Sequence, residues 1–314
     1  VDTEDLPLNV SRELLQNSPL LAKIGSAVVK RVLRELEKRA DKKPEEFEEF
    51  WANFGAVLKE GIYEDPARRD QLLKLSRFHS TNGSGLTSLA DYVSRMKDGQ
   101  TKIHYIAGED TEKLVSSPHL EGFLARDIEV LLLPDAIDEF WVPTVGEFEG
   151  KKFVSVTQGE AEFEPLGADD KKDDEDTDDD KPPEGELSTL VALLKQQLGD
   201  QVKDVRTTDR LRESPVCLVA GESDLDRHLA RMLKQHGQLQ QPPASGILEI
   251  NPRHALIKVL AAGAGKPGAS DSMSDAAQLL LDQARIIDGE LPADPAAFSR
   301  RMADVMAAAM SHSK

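Results

Sequence analysis

An acidic run near the middle of the chain separates two parts that must fold around different cores. Residues 169–180 hold nine acidic residues and two lysines, a local charge of −7, and no apolar side chain. A run with nothing to bury is expected to stay extended and solvated. It can serve as a plain tether or as an acidic docking tail. The pattern therefore predicts a linker over residues 166–184 with folded domains on both sides.

The composition is typical of a soluble protein with room for two or three domains. Of 314 residues, 39% are hydrophobic and 31% are charged. The formal net charge of −18 repels phosphates and anionic lipid, so neither nucleic acid nor a membrane is an expected partner. The single cysteine, Cys217, excludes an intrachain disulfide and favours a reducing compartment. The start at Val1, without Met or a signal-peptide pattern, is interpreted as a cut through a longer chain.

Residues 1–98 are predicted to be mainly helical, with three helices that pack together. Pro19 and Pro44 suit the first turns of two helices, Asp65-Pro66 caps a third, and Gly61 is expected to end the second. The apolar residues at helical spacing are Leu21, Ile24, Val28, Val32 and Leu36, then Phe47, Phe50, Trp51, Phe54, Val57 and Leu58, then Leu72, Leu73 and Leu75.

Residues 99–165 change to a pattern of alternating strands and helices. Strands are predicted at 102–107, 128–133 and 153–156. The first alternates between apolar and polar residues, with Ile103 and Tyr105 on one face. Helical segments near 110–125 and 135–146 fall between them. This order predicts a small parallel sheet with helical cover.

Residues 185–314 form the predicted C-terminal domain. Leu187, Leu190, Val191, Leu194 and Leu198 indicate an amphipathic helix, which strands at 202–207, 216–220 and 247–250 follow. Two long helices end the chain. Their apolar positions are Leu279, Leu280, Ile286 and Ile287, then Phe298, Met302, Val305, Met306 and Ala309. The predicted fold is thus multidomain, with a helical segment and a small α/β subdomain first and an α+β domain after the linker. The last helix can pack inside its own domain or across a twofold axis.

No self-contained catalytic site emerges from the residues. Residues 263–266 read Gly-Ala-Gly-Lys, but Pro267 stands where a phosphate loop needs a hydroxyl, so a flexible connection is favoured. The seven histidines show no zinc-ligand spacing. Cys217 lies among apolar strand residues and is interpreted as an inert buried thiol.

Many collinear motifs carry a resemblance to the heat-shock protein 90 family, of its bacterial type. They include residues 5–16, Phe50-Trp51, 58–61, 75–78, Tyr105-Ile106, 116–118, 129–131, 137–139, Val205-Arg206, Arg210-Leu211, Ser214-Pro215 and 247–252. The resemblance covers nearly the whole chain except the acidic run. It implies that residues 1–165 are the later part of a middle domain and that 185–314 form a dimerisation domain.

The resemblance also implies an ATP-dependent chaperone of the stress response. ATP and Mg²⁺ would be bound by an N-terminal domain that this chain lacks, so the chain alone is expected to be inactive as an ATPase. Arg12 would reach the γ-phosphate, and Gln16, one turn later, would help to position its neighbours. From the sequence alone, an ordinary first-turn residue is the favoured interpretation of Arg12. The match to the family motif reverses that preference.

The same resemblance implies binding of unfolded clients by a homodimer. Exposed aromatic side chains at Phe140 and Trp141, and a stripe of Leu225, Leu229, Met232 and Leu233, would hold clients; core packing is the alternative for both sets. The two C-terminal helices would form the dimer interface. The chain end at 311–314 lacks the acidic tail of eukaryotic cytosolic members and an endoplasmic-reticulum retention tail, and both absences favour the bacterial, cytoplasmic type. An organellar member is the alternative. A nucleotide-independent dimeric scaffold is the alternative function.

Overall fold

A computed structural model describes residues 19–159, 181–221, 224–235, 237, 245–266 and 269–312. Arg12, Gln16 and the acidic run therefore lie outside the described residues. The chain divides into two compact units: residues up to 77 with 86–90 form one, and residues 78–85 with 91 onward form the other.

The first unit is built from three helices, as predicted. They are α1 (Pro19–Lys42), α2 (Pro44–Glu64) and α3 (Arg69–Leu75), and each contacts the other two. The predicted end of α2 at Gly61 is wrong, because Ile62 is completely buried and the helix continues to Glu64 around it. Ile62 extends a buried face formed by Phe47, Trp51, Gly55 and Lys59.

The apolar faces predicted for α1 and α2 are partly wrong. Phe54 and Val57 are more than half exposed, and Val28 and Val32 are nearly so. The buried apolar residues of α1 are Leu33 and Leu36. Three helices cover only one stripe of each other's surface, so an apolar face wider than that stripe stays in contact with solvent.

The α/β part of the second unit contains a five-stranded mixed sheet in the order β1-β3-β2-β5-β4. Its strands are β1 (His79–Ser80), β2 (Lys102–Ala107), β3 (Leu131–Leu133), β4 (Glu147–Phe148) and β5 (Lys151–Ser155). The three central strands are parallel, as predicted, with Tyr105 opposite Leu131 and Ile103 opposite Phe153. The short antiparallel edge strands β1 and β4 were not predicted.

Helices lie between these strands and bury the sheet. They are α4 (Leu89–Ser94), α5 (Thr111–Val115), α6 (Glu121–Leu124) and α7 (Asp138–Val145), with a short 3₁₀ turn at Pro118–Leu120. The alternation predicted for β2 is wrong, because all its residues except Lys102 are buried. A parallel sheet with helical cover buries both faces of its central strands.

The C-terminal part of the second unit has a three-stranded sheet in the order β6-β8-β7. Its elements are α8 (Glu184–Leu198), β6 (Asp204–Thr207), β7 (Val216–Val219), α9 (Arg227–Gln235), β8 (Ile247–Ile250), α10 (Ala255–Ala264), α11 (Ala269–Ile287) and α12 (Pro295–His312). The predicted helix and the three predicted strands are confirmed. Leu190, Leu194 and Leu198 of α8 pack with Leu248, Ile257 and Leu281 in one core.

Within the described ranges, no helix combines the length and apolarity that a membrane crossing requires.

Candidate functional site

Helix α7 carries the first pair of residues predicted to bind clients, and the two side chains differ in their exposure to solvent. Phe140 is 37% exposed, whereas Trp141 is completely buried. The Trp141 indole N–H donates a 2.6 Å hydrogen bond to Asp138, and its ring packs against Phe78 and Phe153. The expectation of an exposed Trp141 is therefore wrong: this ring belongs to the core, and Phe140 alone of the pair reaches solvent.

Helix α9 and the residues before it carry the second predicted set. Leu225 is 49% exposed, and Leu229, Met232 and Leu233 are half-buried. Ala230 of the same helix is buried. The predicted stripe thus keeps a partly accessible apolar surface.

A buried hydrogen bond joins these two segments. His228 of α9 lies 2.6 Å from the carboxylate of Glu139 in α7. Burial raises the pKa of Glu139, and the hydrogen bond from His228 opposes that shift. Nearby, the buried carboxylate of Asp226 accepts hydrogen bonds from the hydroxyls of Ser155 and Thr157 at the end of β5. The α/β part and the C-terminal part are therefore linked next to both apolar segments.

Asp288 forms a second link between the two parts. It accepts from Arg227 at 2.6 Å and lies 3.5 Å from His119 of the α/β part. Arg227 also donates to Glu290 at 3.0 Å. Burial alone would raise the pKa of Asp288, but the hydrogen bond from His119 and the charge of Arg227 more than offset it, so the pKa is lowered.

A third link is built around Glu249 in the middle of β8. Its carboxylate accepts from Arg210 at 2.6 Å and from Arg206 at 2.7 Å. Arg210 also donates to the backbone carbonyls of Val156 and Gln158 beyond β5. Burial would raise the pKa of Glu249, but the two guanidinium groups outweigh it and hold the pKa below its usual value.

Glu121 of α6 forms a fourth link. Its carboxylate accepts from the backbone N–H groups of Arg212, Glu213 and Ser214, and from the hydroxyl of Ser214. A carboxylate with several donors is held in one orientation. Together with the three other links, this contact ties the α/β part to the C-terminal part along one junction.

This junction was not predicted, although one signal was available. Glu249 is a charged residue between Leu248 and Ile250 in a strand that is otherwise apolar. A buried carboxylate requires a cationic partner, and candidates include Arg206 in β6 and Arg210 just after it. His119, Asp226 and Asp288 give no comparable signal, because their partners are distant in sequence.

Cys217 is buried, as predicted, and burial raises the pKa of its thiol. Among the residues that the structure describes, no cluster of His, Cys, Asp or Glu could hold a metal ion.

The C-terminal helices expose much of their predicted interface. Leu280 is an exception, since it lies in the core of its own domain, and its assignment to a dimer surface is wrong. Leu279 and Phe298 are half-buried. The remaining predicted residues, all exposed, are Ile286, Ile287, Met302, Val305, Met306 and Ala309.

A family model and individual relatives both place the chain in the same protein family. The family model described as Hsp90 protein matches residues 1–314. The chain is similar to the chaperone protein HtpG of Roseobacter denitrificans, with 55% identity over 312 residues, 99% of this chain and 50% of that protein. It is also similar to HtpG of Paramagnetospirillum magneticum, with 55% identity over 310 residues, 98% of this chain and 49% of that protein. HtpG of Mesorhizobium japonicum is 51% identical over 310 residues, 98% of this chain and 48% of that protein. The chain thus spans about half the length of these relatives.

Proposed function

The chain belongs to the Hsp90 protein family, and on that premise we propose that it is part of an ATP-dependent, homodimeric chaperone that binds unfolded or partly folded proteins in the bacterial cytoplasm. In this proposal ATP and Mg²⁺ bind to a domain outside the 314 residues. Arg12 supplies the charge that stabilises the transferring phosphate, with Gln16 beside it. The chain on its own holds clients without turning over ATP.

The observation that carries the client-binding proposal is the contact between Glu139 and His228. It joins the helix of the exposed Phe140 ring to the helix of Leu229 and Met232. Partly exposed apolar side chains on linked helices suit transient binding of unfolded segments, because they offer contact area without a deep pocket. Trp141 has no part in this surface.

Aggregation of a heat-unfolded client, followed by light scattering, tests the proposal. Phe140→Ala and Leu225→Ala should each weaken the protection that the intact chain gives. Val259→Ala is the matched control, since Val259 is 70% exposed on α10 and is not one of the residues proposed to bind clients. Equal protection by all three variants would remove the proposed client surface.

The homodimer proposal rests on α12. Residues 302–311 are all exposed, and Met302, Val305 and Met306 lie on one stripe of the helix. Ile286 and Ile287 at the end of α11 offer a second exposed apolar surface. Two such helix pairs related by a twofold axis can form a four-helix bundle, and burial on the order of 1,500 Å² would suit a stable dimer.

A further inference from the structure

Three of the six methionines in the chain lie on one stripe of α12, the helix on which the proposed homodimer rests. Met302, Met306 and Met310 are spaced four residues apart, so each side chain follows the previous one by about 40° around the helix. They are 40%, 58% and 74% exposed. The other three methionines are less exposed, and Met273 lies in the core of the C-terminal part. In the single chain, the thioether groups of α12 are therefore the most accessible to a reagent in solvent.

An exposed thioether reacts with a peroxide by a two-electron oxygen transfer. A lone pair of the sulfur attacks one peroxide oxygen, the O–O bond breaks, and that oxygen stays on the sulfur. With hydrogen peroxide the second oxygen leaves as water, so the sulfur is oxidised and the peroxide is reduced. The product is methionine sulfoxide, a polar side chain in place of an apolar one.

The side chains around these sulfur atoms cannot satisfy a sulfoxide oxygen. Residues 302–310 consist of methionine, alanine, valine and one aspartate, and none of these side chains donates a hydrogen bond when the aspartate is ionised. In a twofold interface the second copy of α12 presents the same side chains. A sulfoxide oxygen buried there would lack a donor, and an unsatisfied buried acceptor weakens an interface by about tenfold or more.

We propose that Met302, Met306 and Met310 are peroxide-sensitive modification sites, and that their oxidation to sulfoxides dissociates the homodimer. The inference rests on the dimer of the proposed function. The peroxide reacts with the dissociated chain, in which the three sulfur atoms face solvent, and the sulfoxides then prevent reassociation. Each protomer stays folded, because the three side chains are exposed while the core methionine, Met273, is 3% exposed and out of reach of the reagent.

Treatment of the 314-residue chain with hydrogen peroxide tests the proposal, with peptide mass spectrometry and sedimentation equilibrium as readouts. We expect one added oxygen on each of Met302, Met306 and Met310 and none on Met273. The treated chain should sediment as a monomer at a concentration where the untreated chain is a dimer, with unchanged circular dichroism. Oxidation of α12 should also be slower at high protein concentration, because the dimer shields its sulfur atoms.

Two variants separate the α12 sulfur atoms from other effects of peroxide. Met302→Leu, Met306→Leu and Met310→Leu together keep the apolar volume of the stripe and remove its thioethers, so this variant should stay dimeric after treatment. Met96→Leu removes a half-buried methionine outside α12 and should dissociate on treatment like the unchanged chain.

Three results would overturn the proposal: α12 methionines that stay unmodified, a fully oxidised chain that stays dimeric, or a triple leucine variant that dissociates as readily as the unchanged chain. Each of them leaves the homodimer of the proposed function standing. A chain that is monomeric before any treatment would instead contradict that homodimer, and this inference with it.

Discussion

Replacing Trp141 with alanine should destabilise the second unit far more than replacing its neighbour Phe140. Trp141 is completely buried between Phe78 and Phe153, and truncating a buried Trp or Phe to alanine typically costs about 3–5 kcal/mol. Loss of the 2.6 Å hydrogen bond to Asp138 adds about 1 kcal/mol. Phe140 is 37% exposed, so its truncation should cost only about 1 kcal/mol.

Urea unfolding followed by circular dichroism measures these differences as changes in the free energy of unfolding. Trp141→Phe is an informative intermediate, because it keeps an aromatic ring in the core and removes the indole N–H. Its cost should fall between those of the two alanine variants. A cost below about 1 kcal/mol for Trp141→Ala would refute the core assignment, since no buried Trp of this kind is removed so cheaply.

Three further predictions follow from the buried carboxylates, the thiol and the proposed catalytic arginine. The pKa of Glu249 is lowered, so its contribution to stability is present above the ordinary pKa of 4.5 and is lost as pH falls below that value. Glu249→Gln should lower the free energy of unfolding at pH 7 by about 3 kcal/mol. The same change should flatten the acid limb of a plot of unfolding free energy against pH. An unchanged acid limb would remove Glu249 from the ion pairs. Cys217 should react with a thiol reagent at pH 8 only on unfolding, because it is buried and its pKa is raised; rapid reaction of the folded chain would contradict this. In a longer protein that includes an ATP-binding domain, Arg12→Ala should reduce kcat and leave nucleotide affinity nearly unchanged, the pattern of a contact made in the transition state; full turnover would remove the proposed role.

Local sequence patterns predicted the three parallel strands at the centre of the five-stranded sheet. The three parallel strands around Ile103, Leu131 and Phe153 follow from short apolar runs separated by helical segments. The edge strands β1 and β4 are two residues each, too short to leave a periodic signal. Pairing with a neighbouring strand, not sequence pattern, places them in the sheet.

Burial within an apolar segment was harder to predict. Phe140 and Trp141 are adjacent and both aromatic, yet one is in the core and the other reaches solvent. On a helix, consecutive residues point about 100° apart, and only the tertiary packing decides which of them faces inward. Trp51 and Phe54 lie about one turn apart on the same face of α2, yet Trp51 is buried and Phe54 is exposed.

The polar junction depends on contacts between residues distant in the chain. Glu139 and His228 are separated by 89 positions, and His119 and Asp288 by 169. Neither pair has a spacing that a single sequence can reveal. Only the folded arrangement brings the two members of each pair together.

Sedimentation equilibrium of the intact chain tests most directly whether this is one protomer of a homodimeric chaperone. We predict a mass twice the 34.5 kDa of one chain at micromolar concentration. Deletion of residues 295–314, which removes α12 and its exposed stripe, should give a monomer whose upstream domains remain folded by circular dichroism. Intact chain that sediments at the mass of a single protomer would contradict the proposed dimer, and so would a deletion variant that remains dimeric.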